Sequence, residues 1–597
     1  MAQLVNAGCA ALSYYTDMLF RSCATILLAG SVLIAGCCEP KGHAARFRPS
    51  PPAVALNRIP DSGLQDPGTT LAVPPEEKST NVGLENLIDA HAHFAAGVVH
   101  EMNLEPESAL EDYYNAALLD PTNQSLVLDV AQQFLQAKRP EKALELLSRA
   151  STNPAASGAL FAEMGFVYSK LGKTNEAVAA DRAAIRKDPR SLAGYQSLFL
   201  DFAQNKQVSQ IWSLLDEASH VKGTDAEFLI GLAELYFHLG VESPSDKATA
   251  NTRALALLQR AAKMNPSDLR LELRLAEGFG HLGKTADAAR IYEAVVKQLP
   301  DSSPQYDAVH EELANIYIQN HDTTRAAKQL EIIVRDNPTD AQTYYKLGGI
   351  AYEDTNYVKA ADYFRNAILF SPDFELAYYN LATAQMGAER TSDALETLGR
   401  ARRRFPQSFM GEYLSGVAYS EQKDYTNALQ HFTTAEVLAK NTDQSRLTDV
   451  FYFQLGAASE RTGDYAGAEK YFSKCLQLAP DSAEALNYLG FMWADRGEKL
   501  DQARDFIAKA LKSDPKNAAY LDSMAWVLFK LHQPKPALDY ALKAIQFSEE
   551  EDATVYDHLG DIYNALGQKD KARQAWTKSL SLESNDSVRK KIDSGGK

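Results

Sequence analysis

One pattern recurs about every 35 residues through the last part of the chain, and it constrains the fold more than any other feature. Three successive segments can be aligned so that each carries a small residue at the same two places. These small residues are Gly490, Ala525 and Gly560 at the first place and Ala503, Ala537 and Ala572 at the second. A repeat of this length indicates stacked supersecondary units, each in contact with its neighbours, rather than one globular core.

Each unit contains two blocks of apolar residues at helical spacing, separated by a short polar break. In one unit, Leu486, Leu489 and Trp493 form the first stripe, and Ile507 belongs to the second. The small residues let two antiparallel helices approach closely, and an aromatic residue four positions after the second-block alanine is expected to fill the remaining space. These aromatic residues are Phe364, Phe432, Phe472 and Trp576. A proline often ends the unit, because it cannot extend the helix before it.

This order of residues resembles the tetratricopeptide repeat. The best single match reads Tyr344-x-x-Leu347-Gly348, followed by Ala360, Phe364, Ala367 and Pro372. The resemblance implies an all-α fold, a right-handed superhelical solenoid of about fourteen antiparallel helix pairs over residues 84–583. We expect two irregularities: an insert near 241–251, between the helices of the pair at 225–267, and a longer connection at 441–448.

The first 36 residues have the pattern of a targeting segment rather than of a folded domain. Ile34-Ala35-Gly36-Cys37 ends a short apolar run and resembles the lipobox of bacterial lipoproteins. That resemblance implies a signal peptide at 1–36, with Met18 as a second candidate for its start. It also implies that Cys37 is lipidated and becomes the first residue of the mature chain. A single membrane anchor is the alternative interpretation, although the apolar run is short for one.

Two further segments lie outside the expected repeats. Residues 37–83 form a linker in which eight prolines disfavour both helix and sheet. Residues 584–597 are expected to be a flexible tail that frays. Cys38 follows the lipidated position, where an Asp would retain the lipoproteins of well-studied Gram-negative bacteria at the inner membrane. The expected location is therefore the bacterial cell envelope, lipid-anchored at the outer membrane and facing the periplasm.

Composition and the absence of motifs exclude several functions. The chain has 597 residues and a formal charge of −17, so it carries no basic footprint for nucleic acid. Four of its five cysteines precede residue 39, and the repeats are not expected to contain a disulfide framework. There is no phosphate loop, no Gly-x-Ser-x-Gly elbow and no Cys-x-x-Cys pair, and His310-Glu311-Glu312 lacks the second zincin histidine at Ala314. The sequence predicts no enzyme, no cofactor, no metal and no small-molecule substrate. Catalysis hidden in the linker or the insert is the least favoured alternative.

Two clusters of ionisable side chains have both a functional and a plain interpretation. They are His91, His93 and His100 near the first repeat, and Arg400, Arg402, Arg403 and Arg404 on a second helix. For the histidines, packing or plain surface is favoured over a metal site. For the arginines, a solvated outer face is favoured.

A partner would bind in the groove that the first helices line in tetratricopeptide superhelices. The resemblance implies that the residue after the first aromatic position points into this groove. The positions are Tyr345, Tyr379, Tyr413, Phe453, Asn487, Asp522 and Asp557, with Phe491, Trp526 and Asp561 one helical turn further on. Aromatic rings in a groove offer contact area at small entropic cost, although some of them could instead pack between repeats. Asp at two of the last three positions favours extended apolar or basic segments over a free carboxylate.

The layout of signal, linker and repeats resembles the outer-membrane tetratricopeptide lipoproteins that are adaptors for carboxyl-terminal processing proteases. The resemblance implies a non-catalytic scaffold that recruits periplasmic partner proteins, such as a processing protease and its substrates. It would touch the membrane through its lipid anchor only. The alternative is an assembly factor for an envelope machine such as a secretin or a cell-wall synthase. A protease gene beside this one would favour the adaptor.

Overall fold

The computed structural model describes residues 81–594, and its regular structure there is α-helix apart from one short 3₁₀ turn at Gln444–Arg446. Fourteen helix pairs, α1/α2 to α27/α28, are followed by one last helix, α29. The described residues form two compact units, 81–329 and 330–594, with the boundary inside α14. The predicted signal peptide, Cys37 and nearly all of the predicted linker lie outside the described residues.

The first seven pairs make up the N-terminal unit and reach just beyond it. Their helices are α1 Asn81–Met102, α2 Pro106–Leu119, α3 Gln124–Gln136, α4 Pro140–Ser151, α5 Gly158–Lys170, α6 Thr174–Lys187, α7 Ala193–Gln204, α8 Val208–Ser219, α9 Ala226–Glu242, α10 Lys247–Lys263, α11 Leu269–His281, α12 Thr285–Val296, α13 Tyr306–Gln319 and α14 Thr323–Asp336.

The other seven pairs and the last helix make up the C-terminal unit. Their helices are α15 Ala341–Glu353, α16 Tyr357–Phe370, α17 Glu375–Gly387, α18 Thr391–Arg404, α19 Phe409–Glu421, α20 Tyr425–Thr442, α21 Asp449–Arg461, α22 Tyr465–Leu478, α23 Ala483–Arg496, α24 Leu500–Ser513, α25 Ala518–Lys530, α26 Pro534–Phe547, α27 Ala553–Ala565, α28 Lys569–Leu582 and α29 Asp586–Asp593. The all-α fold of paired helices predicted from the repeat spacing is confirmed.

The turn inside a pair has the same backbone geometry almost throughout. In thirteen of the fourteen described pairs, the first helix is followed by a residue in the left-handed region, with φ between 55° and 83°. Glycine adopts this conformation without a Cβ clash, as at Gly463, whereas Thr355 holds it despite its branched side chain. The shared turn gives successive pairs the same internal arrangement, which is what the constant spacing requires.

The exception is the pair α9/α10, which contains the predicted extra residues. Each of its helices has 17 residues, and only 243–246 connect them. The extra residues were predicted to form an insert between the two helices. That prediction is wrong, because most of 241–251 belongs to the helices themselves. Leu239 and Ala250 are fully buried in these longer helices, so the added turns extend the apolar contact between them. At 441–448, similarly, α20 continues to Thr442 before the 3₁₀ turn begins.

Close approach within a pair depends on a glycine that faces an aromatic ring, as the sequence predicts. A Cβ built on Gly348 would lie 2.6 Å from the ring of Phe364, which is too close for any larger residue without a shift. A Cβ on Gly560 would overlap the indole of Trp576 in the same way. Each ring follows its glycine by sixteen residues and is almost fully buried.

In one pair of the N-terminal unit, a carboxyl group takes the place of this ring. Asp181 follows Gly165 by the same sixteen residues, and its side chain faces that glycine. The group is fully buried. Burial raises the pKa of Asp181 to about 8, a rise that the Ser197 hydroxyl opposes and the charge of Asp201 strengthens. Asp181 is therefore mostly protonated at neutral pH.

The segment predicted to be a flexible tail contains the helix α29. Val588 is 1% exposed and packs against Ala572 and Trp576 of α28. Asn585 begins the helix by accepting a hydrogen bond from the backbone N–H of Ser587. The structure therefore differs from the expected fraying, because Val588 and the partly buried Ile592 attach this helix to the last repeat.

Candidate functional site

The ten predicted groove residues all lie on first helices of the C-terminal unit. Seven of them are the fifth residue of α15, α17, α19, α21, α23, α25 or α27, and three are the ninth residue of α23, α25 or α27. Contacts link successive first helices directly: the Asn380 amide donates to the Tyr345 hydroxyl at 2.9 Å, and His558 Nδ1 lies 2.9 Å from Asp522 Oδ2. We call this surface the first-helix face.

The aromatic members of the face differ in burial. Tyr379 and Tyr413 are 4% and 7% exposed and belong to the core, whereas Tyr345 and Phe453 are half-buried. The Tyr345 ring packs against Phe374, with centroids 4.6 Å apart. The two buried rings therefore have little surface left for a partner, and the two half-buried rings keep part of their surface exposed.

Packing around the two buried tyrosines explains their position. Tyr413 stacks on Phe409 with an interplanar angle of 8°, and Phe451 from the next repeat lies 6.0 Å from it. The Tyr379 hydroxyl donates to Glu375 at 2.8 Å. Burial and this carboxylate raise the pKa of Tyr379, so the phenol stays protonated.

The last repeats place a histidine at the centre of a polar and aromatic cluster. His558 lies under Trp526, with ring centroids 3.9 Å apart, and Phe491 approaches it at 6.1 Å. His558 and Asp522 are 5% and 7% exposed, so their ion pair is shielded from water. Burial lowers the pKa of His558, but the charge and hydrogen bond of Asp522, helped by Asp557 and Asp561, outweigh it and leave the pKa raised.

Helix α29 adds a lysine to this polar cluster. The Nζ of Lys591 donates to Asp557 at 2.8 Å and to Asp561 at 2.7 Å. Asp561 also accepts from the Trp576 indole at 3.1 Å. Burial alone would lower the pKa of Lys591, but its two carboxylate partners raise it. One cation therefore offsets only part of the negative charge of the two Asp side chains, and each of them remains half-buried.

Two other members of the face are buried polar or amphipathic groups. Asn487 is 8% exposed, and its Oδ1 has no hydrogen-bond partner within the described residues. The Trp526 indole donates to Asp495 at 3.2 Å, which joins α25 to α23. The C-terminal end of the face thus combines aromatic rings with acidic and amide groups, which are groups that contact partners in protein interfaces.

The histidines of the first repeat lie against carboxylates. His93 Nδ1 is 3.0 Å from Asp112 Oδ1, and His100 Nδ1 is 2.6 Å from Glu105 Oε2. Within residues 81–594, no three His, Cys, Asp or Glu side chains are arranged to hold a metal ion. In the same part of the chain, no helix combines the length and apolarity needed to cross a membrane.

The sequence interpretation did not identify His558, Asp495 or Lys591 as part of the site. A usable signal existed for Lys591, because it follows Asp557 by 34 residues, which is close to the spacing of the repeats. His558 directly follows Asp557 and occupies a core position. Its role depends on Asp522, 36 residues earlier, and that pairing is visible only once the repeats are stacked.

Comparison with known families identifies the repeats. Models described as tetratricopeptide repeat match residues 248–303, 311–373, 379–443, 461–527 and 553–586. A TPR repeat-containing protein of Pseudomonas aeruginosa is 28% identical over 231 residues, which are 36% of this chain and 36% of that protein. The human protein O-mannosyl-transferase TMTC3 is 24% identical over 396 residues, 63% of this chain and 41% of that protein. The chain thus spans well under half the length of these two curated relatives.

Solved structures with related repeats include the APC/C hetero-tetramer Cut9–Hcn1, at 14% identity and a TM-score of 0.37, covering 78% of this chain and 95% of that one. Another is YrrB, a TPR protein with an unusual peptide-binding site, at 20% identity and a TM-score of 0.29, covering 35% and 99%. These likenesses concern the fold alone. The recurring helix pairs and the five matched segments together show that this chain carries tetratricopeptide repeats.

Proposed function

We propose that this chain is a non-catalytic scaffold that is anchored by a lipid on Cys37 and recruits periplasmic partner proteins at the bacterial outer membrane. Tetratricopeptide-repeat proteins generally act as protein-interaction scaffolds. The observation that carries the proposal is that the first helices from α15 to α27 keep half-buried side chains at equivalent positions, namely Tyr345, Phe453 and Asp557, with Phe491 one turn along. Side chains that recur on stacked repeats in this way suit an extended segment of another protein.

The chemistry of these side chains indicates which segments would bind. The half-buried rings of Tyr345, Phe453 and Phe491 offer apolar contact, and the pair Asp557 and Asp561 attracts cations. An extended segment with apolar side chains and Lys or Arg would match both. A processing protease or its substrates would supply such segments.

The lipid anchor is tested separately from the groove. Replacing the thiol by Cys37→Ser should abolish fatty-acid labelling and move the protein from the membrane fraction to the soluble fraction. Cys38→Ser is the matched control, because the tetrad ends at the preceding residue. Labelled lipid on the Cys37→Ser protein would refute the anchor.

Partner binding is tested by crosslinked affinity capture of the intact protein from membranes, with isotope-labelled quantification. The variant Phe453→Ala/Phe491→Ala should lose its partners, whereas Phe506→Ala, which truncates a half-buried ring on the second helix α24, should keep them. A processing protease among the lost proteins would support the adaptor. Equal capture by both variants would contradict binding at the first-helix face.

A further inference from the structure

A positively charged cleft lies outside the first-helix face, between the loop before α17 and the last turn of α18. Its open volume is about 610 Å³, and it is lined by Pro372, Tyr378, Arg400, Arg403 and Arg404. We call it the arginine cleft. Arg400, Arg403 and Arg404 follow the helical spacing that puts them on one side of α18, and all three are exposed.

The arginines of the cleft are only partly neutralised. Arg404 donates to Asp373 through Nε at 2.8 Å. Within residues 81–594, no carboxylate lies within ion-pair distance of Arg400 or Arg403. Three guanidinium groups therefore face one carboxylate, in a chain whose formal charge is −17. Cations in the last turn of a helix complement its unpaired carbonyl groups. That effect explains one or two arginines at the end of α18, but it does not explain an open cleft in which two arginines have no ion-pair partner among the described residues.

A buried tyrosine lies beneath the cleft. Tyr378 is 4% exposed, its hydroxyl donates to the carbonyl of Pro372 at 3.2 Å, and Phe405 packs on it edge-on. The guanidinium of Arg400 lies 5.7 Å above the Tyr378 ring, which restricts its orientation. A guanidinium held in this way can meet a carboxylate in the bidentate geometry that arginine favours.

We propose that the arginine cleft binds an acidic segment of a partner protein, with side-chain carboxylates on Arg400 and Arg403. An acidic protein segment matches the observations because the cleft is open at its sides and the exposed Pro372 can contact a peptide backbone beside the arginines. The arginine cleft would select a negatively charged segment, whereas the end of the first-helix face at Asp557 and Asp561 would select a positively charged one. The proposal does not depend on that face, and each can fail without the other.

The test uses the full chain and a labelled peptide of alternating Glu and Gly, with the Gln and Gly peptide as its neutral counterpart. Fluorescence anisotropy should show binding of the Glu peptide only, weakening as salt rises. Arg400→Gln/Arg403→Gln should weaken binding by about tenfold or more, because two charge-assisted contacts are lost. The matched control is Arg573→Gln, an exposed arginine on α28, which should bind normally.

A substitution of opposite effect makes the test sharper. Asp373→Asn removes the one carboxylate that occupies Arg404, so it should strengthen binding of the Glu peptide. All four side chains are exposed, and circular dichroism melts should be the same for every variant. Equal affinity of the double variant and the Arg573→Gln control would overturn the proposal. So would displacement of the peptide by inorganic phosphate at concentrations where acetate has no effect, because the cleft would then be a phosphate site.

Discussion

The imidazole of His558 lies flat against the indole of Trp526, with ring centroids 3.9 Å apart and an interplanar angle of 16°. On its Nδ1 side the imidazole meets Asp522, so the ring is held from two directions. These contacts come from two successive first helices, α25 and α27. The protonation state of one buried histidine is therefore coupled to how two repeats stack.

The first prediction concerns this coupling. Asp522→Asn should lower the pKa of His558. Burial lowers this pKa, and the substitution removes the negative charge that does most to raise it. Asp495→Asn is the control, since it removes the charge of the group that accepts from the Trp526 indole without touching the imidazole. The measurement is an NMR titration of the His558 ring nitrogens.

The same ion pair makes stability depend on pH. The pKa of His558 is raised above 6.5 in the folded chain, so its contribution is complete below pH 6.5 and is lost as pH rises through the folded pKa. Denaturant unfolding from pH 6 upward should show this loss in the native sequence and less of it in Asp522→Asn. An identical pH profile in both proteins would contradict the assignment.

The second prediction concerns Asp181. Its pKa is raised from 3.8 to about 8, so the folded state disfavours ionisation and the free energy of unfolding should fall as pH rises from about 4 to about 8. Asp181→Asn removes the titrating group and should flatten that decline. The buried Asp201, whose pKa burial also raises, should leave a smaller slope. Chemical denaturation at several pH values measures it, and an unchanged slope would refute the assignment.

The third prediction concerns the close helix crossings. Gly560→Ala should lower the free energy of unfolding by about 1–3 kcal/mol, because the new methyl group overlaps Trp576. Gly490→Val should have a comparable effect, since a Cβ there would lie 2.8 Å from Ile507. Gly280→Ala is the control: it adds a methyl group with nothing within 4 Å and should be neutral or slightly stabilising. Hydrogen exchange should show the losses near the substituted repeat.

The fourth prediction separates the rings that pack from those that offer surface. Tyr379→Ala/Tyr413→Ala should cost about 3–5 kcal/mol for each ring, because both are almost fully buried. Tyr345→Ala/Phe453→Ala should cost less, since these rings are half-buried. Thermal melting and partner binding are measured on the same samples. A smaller loss of stability for the first variant than for the second would contradict the burial described above.

The number of helix pairs and their close crossings could be predicted because glycine, alanine and aromatic residues occupy fixed places in each repeat. Gly348 and Phe364 illustrate this, since the contact lies within one pair and depends on local spacing alone. Whether a ring points outward could not be predicted in the same way. Tyr413 is covered by Phe451, which lies after the longer connection that contains the 3₁₀ turn. The tail also gave little signal, because Val588 is the one fully covered apolar residue of α29.

Helix α29 has a consequence for how an array like this can change length. Among the described residues, Val588 packs on Ala572 and Trp576 of α28, and Lys591 pairs with Asp557 and Asp561, so α29 occupies surface of the last repeat that a following one would need. A new repeat joined directly to α28 would have to displace both contacts and leave two half-buried carboxylates without their cation. Duplication between two existing pairs disturbs neither. Growth of the array is therefore expected at internal junctions, with the closing helix carried along unchanged.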